Sequence, residues 1–158
     1  MKNLKKVQFG FLIAAIFWIT SVISCSTRSD DDSTSPVNTP SSVINIVNNG
    51  TWKVTYYFEN NQIKTSTFSG YNFTFGANNV LTANNGTNNY TGTWSVTDSN
   101  SNDDNPSDLH FNIGFTTPAQ FQELTDDWEI IEKSATEIKL RDVSGGNGGT
   151  DLLTFTKN

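Results

Sequence analysis

From residue 43 to the end of the chain, apolar and polar positions alternate with a period of two. Trp52, Val54, Tyr56 and Phe58 alternate with Lys53, Thr55, Tyr57 and Glu59, the pattern of a strand with one face buried. The same alternation recurs over 71–75 (Tyr71, Phe73, Phe75), 90–97 (Trp94, Val96) and 109–115 (Leu109, Phe111, Ile113, Phe115). Shorter versions cover 127–133 with Trp128 and Ile130, 138–141 with Ile138 and Leu140, and 153–155 with Leu153 and Phe155. A strand over 80–83 runs into Asn84-Asn85-Gly86, a hairpin-type turn. Two segments break the rhythm and read as short helices: 43–47, and 118–124, where Pro118 stands at a helix start.

Eight short strands in series, each with one aromatic or aliphatic face, predict an all-β domain. An eight-stranded antiparallel up-and-down barrel that closes on itself and leaves no edge suits them best. A two-sheet sandwich is the alternative. An immunoglobulin-type sandwich would show a Cys…Trp…Cys core, and the chain has a single cysteine, Cys25.

The first 42 residues follow a different logic. Lys2, Lys5 and Lys6 precede an apolar run over 9–19, and the run ends in Val22-Ile23-Ser24-Cys25. This is the layout of a secretory signal, too short and too interrupted for a membrane span. The four closing residues resemble the lipobox of bacterial lipoproteins. That resemblance implies cleavage between Ser24 and Cys25 and acylation of the Cys25 thiol by fatty chains such as palmitate. An exported chain with one cysteine has no disulfide partner for it, which agrees with a committed thiol. Two or three acyl chains hold stably to a membrane where one holds marginally.

The chain therefore divides into a signal peptide over 1–24, a tether over 25–42 and a barrel domain over 43–158. The tether, STRSDDDSTSPVNTPSS after Cys25, is too polar to offset its chain entropy by burial. Ser26 stands where an aspartate often signals inner-membrane retention, so the outer membrane is expected, on its periplasmic side or at the cell surface. Asp30-Asp31-Asp32 resembles the export signals of surface-displayed lipoproteins; it reads equally as charge that keeps a tether solvated.

Without the three leader lysines, seven basic residues face sixteen acidic ones, a net charge of −9. That leaves no basic patch for phosphates and argues against nucleic acid as a partner. The expected attachment is to the membrane through the N-terminal lipid, with a monomer as the expected state.

Asn49-Gly50-Thr51-Trp52, opening the first strand after a short helix, resembles the Gly-x-Trp signature of lipocalins and related calycins. Thr91-Gly92-Thr93-Trp94 and Asp127-Trp128-Glu129-Ile130 are similar to segments of the lipocalin-like domains of bacterial outer-membrane lipoproteins. The resemblance implies a barrel whose tryptophan plugs one end, and by position it nominates Arg141 as a late barrel-closing arginine.

Trp52, Tyr56, Phe73, Trp94, Phe111 and Trp128 are then candidate pocket residues for a small apolar or sugar-like ligand. The competing expectation is a filled core, because an eight-stranded barrel is only just wide enough for its side chains or one small ligand. A filled core would make the domain a structural or protein-interaction module.

Chemistry beyond binding finds little support in the residue types. His110 is the single histidine and alternates with core positions, so it should face solvent. Zinc sites and nucleophilic triads need partners that one histidine and one cysteine do not supply. Asp98, Asn100, Asn102, Asp103 and Asp104 begin like a calcium loop, but the sixth position lacks glycine and Leu109 stands at the twelfth. Gly145 to Asp151 resembles a single calcium-binding nonapeptide turn with its aspartate one place late. Asp126, Asp127, Glu129 and Glu132 read as a solvated face. The expectation is a domain without metal, cofactor or catalysis.

Overall fold

The computed structural model describes residues 38–99, 109–143 and 149–158. The signal peptide, the Cys25 site, the tether as far as residue 37, the loop over 100–108 and the glycine-rich turn over 144–148 lie outside the described residues.

Among the described residues nine strands follow one another in order: β1 (Trp52–Glu59), β2 (Gln62–Ile63), β3 (Asn72–Phe75), β4 (Val80–Asn84), β5 (Asn89–Asp98), β6 (Leu109–Gly114), β7 (Asp126–Lys133), β8 (Glu137–Val143) and β9 (Thr150–Lys157). Each of β3 to β9 pairs antiparallel with its neighbour, and β9 returns to pair with β1 from Trp52↔Lys157 to Phe58↔Leu152. The chain is thus a closed, eight-stranded up-and-down barrel, with β2 a two-residue addition outside the eight. Closure removes the sheet edges that would otherwise template aggregation.

The barrel has one thin seam. β1 meets β3 through a single register pair, Trp52↔Phe73. Further along β1 the gap is covered by the hairpin to β2 and a 3₁₀ turn (Thr65–Phe68). There the Tyr57 N–H donates to Thr65 Oγ1 at 2.9 Å, and the Lys64 N–H donates to the Tyr57 carbonyl at 2.9 Å. Side chain and turn thus satisfy backbone groups that a ladder strand would otherwise satisfy.

A helix stands at each end. α1 (Pro40–Val47) begins three residues before the apolar pattern suggests, because Thr39 and Ser42 form a capping box ahead of it with proline in its first turn. Residues 40–42, read from sequence as tether, therefore belong to the fold. Val43 and Val47 are fully buried against one mouth of the barrel, and the Trp52 indole N–H donates to the Val47 carbonyl at 2.9 Å. That bond satisfies a helix-terminal carbonyl that the helix itself leaves open. α2 (Ala119–Gln122), entered through a cis Thr117–Pro118 bond, closes the other mouth with Phe121.

The alternation fails in β7, where the register with β8 shifts between Ile130 and Glu132, and in β1. The β1–β9 register shifts between Val54 and Tyr56, so an extra residue enters β1 and the strand turns over. Tyr57 is fully buried in consequence, and Tyr56 is 37 % exposed. A strict period of two puts these two tyrosines on the wrong sides, because a one-residue slip inverts every position beyond it.

Candidate functional site

Five of the six expected pocket residues do converge inside the barrel. Trp52, Phe73 and Phe111 have no exposed surface, Trp128 is 1 % exposed and Trp94 6 %. The sixth, Tyr56, is corrected by the bulge: it lies on the outside, and Tyr57 takes the interior place.

These rings pack on one another. Phe75 stands edge-on to Trp94, Phe111 and Phe155 at centroid distances of 5.4, 5.2 and 5.4 Å. Towards the other mouth Phe121 meets Phe68, Tyr71 and Phe115 edge-on within 5.4 Å. Edge-to-face contacts of this kind are worth about 0.5–1.5 kcal/mol each beyond the area they bury.

The polar tips of the large rings are also spent on the fold. Trp94 Nε1 donates to the Gly76 carbonyl at 2.9 Å, Trp128 Nε1 to the Leu124 carbonyl at 3.0 Å, and the Tyr57 hydroxyl to the Glu123 carbonyl at 2.8 Å. Burial, with Glu59, Glu123 and Asp151 nearby, pushes the Tyr57 phenol far above its ordinary range, so it stays protonated and remains a donor. Among the described residues no polar or charged side chain is counted in the buried core.

Arg141 is a second correction. It lies on the outer face, with Nη2 at 2.6 Å and Nε at 3.0 Å from Glu129 Oε2 across the β7–β8 pair. The cation over Trp52 is instead Lys157 of β9, its Nζ 5.0 Å from the ring centroid. Gly50, at φ +93°, turns the chain beneath the Lys157 stem, which passes 3.8 Å from where a Cβ would stand.

His110 faces outward as its place in the alternation requires, with Nδ1 3.4 Å from the Asp127 carbonyl oxygen. Asp126, Asp127 and Asp142 bring carboxylate oxygens within 4.8 Å of one another on β7 and β8. Partial burial, followed by the charges of Asp142 and Asp127, holds the Asp126 carboxyl above the usual carboxylate range. Burial also lowers the Lys133 ammonium, which donates to Ser42 Oγ at 2.6 Å and ties β7 to α1.

Three hollows lie along β5 among the described residues. A hollow of about 330 Å³ lies between the C-terminal end of α1 (Ile44, Asn48), the loop over 76–79 and the Trp94–Val96 stretch of β5. A second, of about 260 Å³, continues from it across β5 and β6, sharing Asn79, Trp94 and Ser95. A third, of about 330 Å³, follows from the second through Thr93 and Gly114 to Thr125.

Residue pattern did not point to this run of hollows, because its polar lining occupies the solvent side of the strands. One signal was available: Asn-Asn pairs. Asn60-Asn61 and Asn78-Asn79 both sit at positive φ, between 51° and 61°, a backbone region that asparagine tolerates better than most residues. The first pair makes the β1–β2 turn, and the second shapes the wall of the first hollow.

With fold and surface described, the class of protein is that of closed up-and-down β-barrels with a helix at each mouth. Comparison with family models, with curated proteins and with solved structures finds no match to this chain.

Proposed function

We propose that the chain is a lipocalin-like lipoprotein, anchored by lipid on Cys25 to the outer membrane, whose barrel is a non-catalytic interaction module. Recognition falls to the outer surface and not to the lumen. One observation carries this reading: the interior is occupied by packed aromatic rings and stopped at both mouths by α1 and α2. An interior ligand would have to displace rings already in edge contact, and a cavity the size of a side chain costs several kcal/mol. The ionisable pairs between β7 and β8 add support, because they lie on the outer face, as Lys139 with Glu132 at 2.7 Å.

The anchoring half of the reading rests on the sequence around Cys25, and Cys25→Ser tests it. Unprocessed precursor should accumulate in the membrane fraction without incorporated acyl chains; normal processing and retention would refute the anchor. The recognition half is tested on a chain beginning at residue 38, which keeps every contact described above. Saturating fatty acids should leave its melting temperature unchanged. A ligand at about a hundred times its dissociation constant would add roughly 2.7 kcal/mol, several degrees for a domain of this size. A rise of that size, abolished by interior and not by surface substitutions, would restore the lumen as the site.

A further inference from the structure

We propose that the run of hollows across the outer face of β5 and β6 is a binding site for a neutral carbohydrate chain. The proposal rests on the preceding reading that recognition is on the outer surface, and it names the ligand class.

The argument begins with charge. Among the described residues, no Asp, Glu, Lys or Arg lines any of the three connected hollows, although the chain carries 26 such residues. What lines them is amides and hydroxyls, chiefly Asn48, Asn79, Asn112, Thr93 and Ser95, with the partly buried Ile44 at the α1 end, while the Trp94 ring turns inward to Phe75 and Phe111. An anion finds no cation there, and a metal finds no carboxylate. A lipid tail finds too little continuous apolar surface, because hydroxyls interrupt it at every second position of β5.

An extended peptide is poorly served as well. Strand addition needs a free edge, and here β5 is paired with β6 from Thr93 to Asp98 and with β4 as far as Thr93, beyond which α1 and the 76–79 loop stand against it. The chemistry left is a ligand that is itself uncharged, with many hydroxyls and apolar C–H faces. That describes a chain of neutral sugars, and three successive hollows suit a chain better than a single ring.

The groove is also rigid, which lowers the entropy cost of binding. The Gly76 N–H donates to the Val80 carbonyl at 2.8 Å and the Gly76 carbonyl accepts from Trp94 Nε1, so the wall that carries Asn78 and Asn79 is pinned at its base. On the floor, Asn112 Nδ2 donates to Ser95 Oγ at 3.1 Å and to Thr97 Oγ1 at 3.0 Å. Each hydroxyl thereby accepts from the amide and keeps its own proton to donate outward. At the far end Gly92 lets the strands approach closely: a Cβ there would run into the Gly114 carbonyl and the Phe115 ring.

The experiment is a glycan array probed with the full-length protein in a polyoxyethylene detergent, which carries no sugar. Neutral oligosaccharides of three or more residues should bind, while polyuronates and sulfated glycans should not. Ser95→Lys with Asn112→Ala should weaken the neutral signal at least tenfold, with an unchanged melting temperature confirming the fold. Glu132→Gln, on the far flank, should leave binding as it is. Binding that survives the groove substitutions would overturn the proposal while leaving an outer-surface module intact. Absence of any neutral-glycan signal would overturn it too. If a brominated fatty acid then quenched the buried tryptophans saturably, the outer-surface reading would fall with it.

Discussion

The two flanks of the barrel are built on one core and present opposite chemistries. On the outer face of β3 to β6 the cross-strand neighbours are Thr74–Thr82–Thr91 and Ser95–Asn112, hydroxyl beside hydroxyl and hydroxyl beside amide. On β7 to β9 they are Glu129–Arg141 and Glu132–Lys139. Inward, both flanks contribute the same kind of residue: Phe73, Leu81 and Phe111 from the first, Trp128, Leu140 and Phe155 from the second, all within 1 % of complete burial. The fold demands the inner pattern and leaves the outer one free. A neutral flank on so acidic a chain is therefore information about what the surface meets, whereas the charged flank does what charged surfaces ordinarily do, keeping the molecule solvated.

The largest test of that contrast is whether it is confined to the surface. Phe111→Ala behind the neutral flank and Trp128→Ala behind the charged flank should each cost about 3–5 kcal/mol in denaturant unfolding, the usual range for truncating a buried large aromatic. A cost below about 1 kcal/mol on one side only would mean that the barrel is packed on one flank and loose on the other.

An intermediate effect separates the flanks by salt. Arg141→Ala removes the paired contact to Glu129, and both side chains are partly exposed. The loss should be about 0.2–1 kcal/mol at low ionic strength and should shrink as salt screens the pair. Ser95→Ala, whose partner is the neutral Asn112, should show a stability change that does not depend on salt. Equal salt dependence in the two variants would erase the electrostatic distinction between the flanks.

The smallest effect concerns the three aspartates of the charged flank. Because the Asp126 carboxyl is held above its ordinary pKa by burial and then by its acidic neighbours, its ionisation opposes folding. Asp126→Asn retains the oxygen that accepts from the Asp127 N–H and should stabilise the domain at pH 7 by a few tenths of a kcal/mol, the scale of exposed charge interactions. Below about pH 3, under the ordinary carboxylate pKa, native and unfolded chains both hold the proton, and the gain should vanish. A gain that persisted or grew in acid would show that the carboxyl is not strained in the way described.

Much of the inner face was legible in advance. Leu109, Phe111, Ile113 and Phe115 are buried in the order their alternation predicts, as are Trp94 and Val96, Ile138 and Leu140, and Leu153 and Phe155. The outward His110 follows from the same rule. The extra residue in β1 was not legible: Trp52 to Phe58 alternates without a flaw on paper, and only pairing with β9 reveals that Tyr57, not Tyr56, goes inside. The start of α1 was misplaced for a different reason. Its first turn is held by the Thr39–Ser42 capping box, and a polar capping pair is hard to distinguish from the polar tether before it.

By itself the sequence determined the strand count of the barrel, the side of nearly every strand that is buried, and the motif around Cys25, because these depend only on neighbours along the chain and on a period of two. The tertiary structure decided what depends on partners far away. It brought β9 back to β1, and it set Lys157 over Trp52 while sending Arg141 outward to Glu129. It also packed the aromatic rings into contact and opened a hollow between α1, the 76–79 loop and β5. Whether a barrel is hollow or full turns on the volumes of side chains that meet from opposite walls, and no local pattern carries that sum.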